Sequence, residues 1–134
     1  MRRYRAVAQE DDWGGGLACV ASVLGLSYAQ IVAKLGRKPA RGRRPSVDAL
    51  RRILNDGFKD TGLAYELDEP FIGDPDSLET GAIVALVSGR YLMRATGGWM
   101  DPASAKIRKR LPEKVRRTLV LTPENDQPRS RSTQ

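Results

Sequence analysis

The apolar residues of this chain change their spacing part-way along, and that change limits what the chain can fold into. In the first half they recur at helical intervals. Leu17, Val20, Ala21 and Leu24 fall at i, i+3, i+4 and i+7, and Gly25 then supplies a C-terminal stop. Ser27 opens a second helix, with Gln30 three residues on completing a candidate capping box. Ile31, Val32 and Leu35 form its apolar face, and Gly36 ends it. Ser46 reads as the N-cap of a third helix carrying Val47, Leu50, Ile53 and Leu54, with Gly57 near its end. Beyond this point the pattern is that of strands. Leu63–Leu67 alternates weakly, and Ala82–Val87 is a continuous apolar run of the kind found in a buried strand. Ser88–Gly89 is turn chemistry, Tyr91–Ala95 its hairpin partner, and Gly97–Gly98 a second tight turn into a short strand at Trp99–Asp101. Thr118–Leu121 reads as the last strand. Helices first and strands later predict an α+β domain.

The connecting segments complete the expectation. Arg5–Ala8 is short and extended, Arg37–Pro45 is a basic loop, and Asp68–Thr80 is an acidic connection bearing Pro and Gly. Pro102–Leu111 reads as an irregular basic connection or a short helix. Pro123–Gln134 is polar and lacks apolar anchors, so residues 123–134 read as a disordered tail after a domain spanning 1–122. A chain of 134 residues makes one domain with a hydrophobic core that needs neither disulfide nor metal. One cysteine and no histidine exclude an internal disulfide and the familiar zinc and haem ligand sets. No cofactor and no metal is therefore expected. No stretch reaches the roughly 18 apolar residues of a membrane span, and the N-terminus has no apolar core of a secretory signal. The expected location is cytoplasmic.

The net charge of +7 is concentrated in the first five residues, in Arg37–Arg44, in Lys106–Arg110 and in Lys114–Arg117. Such a balance suits an anionic partner such as nucleic acid. Aromatics make up only 6% and do not interleave with the basic runs, so the stacking platform of single-strand binders is missing. A solvated basic surface is the plainer reading.

Two short motifs carry chemistry. Residues 9–22 read QEDDWGGGLACVAS, and residues 88–102 read SGRYLMRATGGWMDP. Together they resemble the two halves of a papain-like cysteine peptidase, closest to the bacterial peptidases that remove double-glycine leaders from exported peptides. In that family a Gln lies six residues before a nucleophile that opens a Cys-Gly-x-Ala-Cys pattern. Here Gln9 lies six residues before Gly15, and Gly16, Ala18 and Cys19 match the rest. The resemblance therefore puts Gly15 at the nucleophile position and makes Cys19 the second, non-catalytic cysteine. The family's histidine enters a strand in a Gly-His-Tyr step; Gly89-Arg90-Tyr91 fits it with Arg90 in the histidine's place. Asp101-Pro102 matches the Asp-Pro after the next strand, which makes Asp101 the vestigial orienting carboxylate. The implied fold is papain-like α+β, with N-terminal helices packed on a C-terminal antiparallel sheet.

The resemblance also implies what is lost. A thiol nucleophile normally relies on an imidazole base. Gly15 has no side chain, and a guanidinium stays protonated far above neutral pH. The expected function is a catalytically inactive peptidase-like domain that binds a peptide or protein partner, such as a leader peptide or an exporter component. Arg90 is expected to pair with Asp101 in place of the former His–Asp contact. Candidate binding residues are Trp13, Gly14, Gly16, Tyr91 and Trp99, with core or rim packing the alternative for both tryptophans. Two other functions stay open: a thiol hydrolase using Cys19, and a basic nucleic-acid-binding module. Cys19 sits one turn beyond Gly15 among Ala18, Val20 and Ala21, which suits a small buried hydrophobe better than a nucleophile. Asp11 and Asp12 read as loop charges near a helix start. The triple glycine is no phosphate loop, because no Gly-Lys-Ser/Thr follows it.

Overall fold

The computed structural model describes residues 4–10, 14–34, 45–60, 67–68, 78, 81–95 and 97–121. Within them lie three helices: α1 (Gly15–Leu24), α2 (Tyr28–Lys34) and α3 (Val47–Asp60). Six strands follow: β1 (Leu67–Asp68), β2 (Ala82–Leu86), β3 (Tyr91–Ala95), β4 (Gly98–Asp101), β5 (Lys106–Arg108) and β6 (Val115–Leu121). They form one sheet in the order β1-β6-β2-β3-β4-β5, with every neighbouring pair antiparallel. The class is α+β, with the helices preceding the sheet in the chain.

Local signals account for the helix ends. Gly25 adopts the left-handed conformation (φ 73°), and the Leu26 amide reaches back to Ala21 O at 2.9 Å, closing α1 in a Schellman arrangement. The Ser27–Gln30 box forms reciprocally: Ser27 N donates to Gln30 Oε1 at 2.8 Å, and Gln30 N donates to Ser27 Oγ at 3.1 Å. Ser46 caps α3 by accepting the Ala49 amide at 3.1 Å.

The apolar stripe expected on α1 is wider than one face. Every residue from Gly16 to Leu24 is buried, because α1 is central and packs against α2, α3 and β3. A helix buried all round loses the polar side that marks a surface helix. The sheet is likewise covered on both faces. Ile83, Ala85, Met93 and Leu119 pack with the helices, while Val84, Leu86, Leu92 and Trp99 form a second cluster on the other side. Burial on both faces explains why β2 reads as an unbroken apolar run.

Several boundaries differ from the sequence expectation. The segment Pro102–Leu111 is neither a helix nor wholly irregular: Lys106–Arg108 forms β5, paired with β4 in the register Asp101↔Lys106 to Trp99↔Arg108. The turn before it is organised by Asp101, whose Oδ1 accepts the Ala103 amide at 3.0 Å and whose carbonyl accepts the Ala105 amide at 2.7 Å. All of β5 is exposed, so no apolar alternation marks it. β6 starts at Val115 rather than Thr118, since Val115 pairs with Leu86 and Arg117 with Ala85. α3 continues through Gly57 to Asp60. β1 occupies Leu67–Asp68 instead of Leu63–Leu67, whose first four residues lie outside the described ones. The Arg5–Ala8 segment joins neither helix nor strand. Ser22 Oγ donates to Arg5 O and ties that segment to α1. The proposed domain end at 122, the 123–134 tail and nearly all of the basic loop and of the acidic connection fall outside the described residues.

Candidate functional site

Four separated stretches of chain meet at one cleft. The N-terminal segment brings Gln9, held by a hydrogen bond from its amide to Pro102 O at 2.9 Å. The first residue of α1 brings Gly15. The β2–β3 turn delivers Arg90, immediately before β3 begins at Tyr91. The end of β4 brings Asp101, followed by Pro102 and Ala103 in the turn. These residues enclose a cleft of about 90 Å³ lined by Gln9, Gly15, Arg90, Tyr91, Asp101, Pro102 and Ala103. Gln9, Gly15, Arg90 and Asp101, the four residues singled out by the sequence resemblance, are thus brought together.

Asp101 is the electrostatic centre. Its side chain is only 3% exposed, and its Oδ2 accepts both Arg90 Nη2 and Arg108 Nε at 2.9 Å. Burial on its own would raise the carboxyl's pKa. The bonds from Arg108, from the Ala103 amide and from Arg90, with the Arg90 charge, outweigh it and hold the group below the usual carboxylate range. Asp101 is therefore ionised and holds three donors, which suits a structural anchor better than a proton acceptor. The trio carries two positive charges and one negative, so the site has a surplus of one positive charge.

The three consecutive glycines have different jobs. A Cβ on Gly14 would run into the phenol of Tyr28, which is itself buried. A Cβ on Gly16 would come within 2.8 Å of Leu50 Cδ1 and 3.1 Å of Tyr91 Cδ2. Both positions are small because neighbouring side chains press on them, and neither lines the cleft. Gly15 faces the cleft. A Cβ there would meet Gln9 Oε1 at 3.1 Å and Pro102 Cγ at 3.9 Å, so the flexible end of Gln9 alone need yield.

Of the other candidates, Tyr91 lines the cleft while its hydroxyl donates to Pro45 O at 2.5 Å. Trp99 does not line it. The ring is fully buried, packed with Leu92 and Val120 in the cluster away from the helices, with the Arg94 guanidinium 5.3 Å above it. Trp13, Asp11 and Asp12 lie outside the described residues. Cys19 has no exposed surface, and burial, reinforced by the Asp101 charge, pushes its thiol far above its ordinary pKa. It is a protonated core residue. Among the described residues no cluster of metal-ligating side chains exists, and no helix is long and apolar enough to cross a membrane.

Arg108 is the functional neighbour that spacing did not reveal. It was one cation in a basic run, and its role depends on β5 folding back along β4. The Asp-Pro-Ala-Ser turn signature at Asp101–Ser104 was the available clue to that hairpin.

No family model, no curated protein and no solved structure matches the chain.

Proposed function

We propose that this chain is a papain-like peptidase relative that has lost its cutting chemistry and keeps a cleft for a peptide or protein partner. The observation that supports the reading best is the convergence of Gln9, Gly15, Arg90 and Asp101, the four positions picked out by the sequence resemblance, on one cleft. Each part has a physical counterpart. The helix start sits where a thiolate would be stabilised, but it carries glycine. The Gln9 carboxamide lies against that position, with its Oε1 3.1 Å from where a Cβ would stand, and its NH2 is the donor that the family's Gln would offer an oxyanion. The strand-entry residue pairs with the buried aspartate, but it is arginine. None of the cleft's side chains is both a nucleophile and free of structural duty: Tyr91 is engaged with Pro45, and Asp101 with two guanidiniums. Binding is the activity that such a cleft can still perform. A leader-type peptide or a component of an exporter is the partner class that the family resemblance supplies.

The test is a binding screen with the unaltered protein against an array of extended peptides, followed by affinity measurement at low and high salt. Selective binding of some peptides with weak salt dependence, lost on Gly15→Trp substitution, supports the reading. Sequence-independent binding to duplex DNA, with a steep fall as salt rises, would move the assignment to the exposed cations Lys106, Lys109, Arg110, Lys114 and Arg116.

A further inference from the structure

We infer that the cleft takes a carboxylate, the free C-terminal end of a peptide, in preference to an uncut chain. This rests on the peptide-cleft reading above and narrows it to a ligand class. The argument starts from charge. A cysteine–histidine pair is neutral overall, whether as thiol and imidazole or as thiolate and imidazolium, and with its aspartate such a centre is anionic. Here the reverse holds: two guanidiniums share one buried carboxylate and leave a positive surplus. Arg90 carries that surplus to the cleft. It donates through one Nη to Asp101, its side chain keeps 34% exposure, and it forms part of the cleft wall. A guanidinium has five N–H donors in a planar fork, which matches the two oxygens of a carboxylate.

Space agrees with charge. The missing side chain at Gly15 opens the cleft beside Gln9 and Pro102. Its volume of about 90 Å³ equals on the order of three waters at their liquid share, enough for a carboxylate and the methylene that bears it. Gln9 on the wall can donate to the ligand through its amide nitrogen or accept the ligand's last peptide N–H through its oxygen. An internal peptide bond is neutral and must continue out of the cleft on both sides, so it gains nothing from the surplus charge.

The experiment is a titration of the isotope-labelled full chain, followed by NMR, with N-acetylglycine, N-acetylglycinamide and acetate. The expected dissociation constant for the acid is about 1–10 mM, as suits a ligand of so few atoms. The shifted signals should be the amides of Gly15, Gly16 and Ala103 and the Arg90 Nε–H. The amide should bind at least about fivefold more weakly, because it loses the charge-assisted bonds, and acetate should be weaker than the acid because it lacks the peptide group. Arg90→Gln should abolish the preference for acid over amide, whereas Arg90→Lys should keep part of it; preserved signal dispersion verifies the fold of each variant. Equal binding of acid and amide at these residues overturns the carboxylate inference and leaves the peptide-cleft reading intact. Equal binding of acetate and acid overturns the peptide-end assignment. No cleft shift with any of the three probes overturns the inference outright, while the peptide array judges the broader reading independently.

Discussion

Replacing Asp101 with asparagine removes a charge from a buried position with little change of shape, and the structure fixes what should follow. The carboxylate accepts two guanidinium bonds and one backbone bond. A buried hydrogen bond to a charged group contributes about 1.5–3 kcal/mol, but that full value does not apply here. Arg90 and Arg108 are 34% and 46% exposed, so once released they regain water. Each ion pair is therefore worth about 1 kcal/mol or less, and an asparagine oxygen can still accept the Ala103 amide. The expected loss is about 2 kcal/mol for Asp101→Asn, and about 3 kcal/mol for Asp101→Ala, which also orphans that amide. For a domain of this size 2 kcal/mol lowers Tm by roughly 7 °C. The pH dependence separates charge from shape. Because the folded-state pKa of Asp101 lies below the unfolded value of about 3.9, its contribution is complete above that pH and is lost as pH falls through the folded value. The stability gap between wild type and Asp101→Asn, measured by urea unfolding, should stay level from pH 7 to about pH 4 and shrink below it. A gap that remains level down to pH 2.5 would refute the ionic account, and an unchanged Tm would show that the arginines do not need the aspartate.

Three further outcomes follow from the geometry. Alanine at the three consecutive glycines should order clearly by calorimetry: Gly14→Ala and Gly16→Ala destabilise by about 1–3 kcal/mol through overpacking against Tyr28 and Leu50, while Gly15→Ala is neutral or stabilising by up to about 1 kcal/mol. Equal losses at all three would contradict the separation of packing from cleft. Cys19 in the native chain should resist iodoacetamide, with labelling that follows global unfolding in rising urea; fast labelling without denaturant would return it to the list of nucleophiles. Gly15→Cys should introduce a thiol that reacts while Cys19 does not, and adding Arg90→His should speed that reaction and give it an acid limb below neutral pH. A thiol at position 15 that stays as inert as Cys19 would mean that Gly15 does not occupy a nucleophile position.

How much of this was legible beforehand depends on where each residue keeps its partners. Ser27 and Gln30 cap α2 within four residues of sequence, and Gly25 ends α1 by its own backbone conformation, so local reading suffices for both. β2 was legible because burial on both faces leaves an apolar run. β5 was not, since a strand exposed along its whole length carries no apolar period, and its pairing is set by a turn built around Asp101. The same division runs through the site. Gln9, Gly15, Arg90 and Asp101 could be named because their spacing resembles a known pattern. Gly14 and Gly16 stood beside Gly15 and were grouped with it, yet each is small because a side chain from α2 or α3 presses on it, and that pressure appears only in three dimensions. Trp99 was misleading for a similar reason: it lies two residues from Asp101 in sequence, but its ring is sealed in the core cluster away from the helices.

Arg108 shows most directly why the charge of a site has to be read from its neighbours. On the sequence resemblance alone, Arg90 would be a one-for-one stand-in for the family's histidine, a cation whose task is to hold Asp101. The structure gives that aspartate two cations. With Arg108 already bonded to Oδ2 through Nε, the buried charge of Asp101 is satisfied from the β5 side, and Arg90 is not required to neutralise it. An arginine that had only to replace a lost partner would be expected to sit buried against the carboxylate. Arg90 instead keeps a third of its side chain exposed at the wall of the cleft. Removing Arg108 should therefore draw Arg90 more tightly onto Asp101 and weaken any anion bound in the cleft, although Arg108 itself does not line it. Arg108→Gln should cost about 1 kcal/mol of stability or less and at least halve the affinity for N-acetylglycine in the same titration. An affinity that survives this substitution unchanged would mean that Arg90 alone supplies the charge and that the second guanidinium serves only the hairpin.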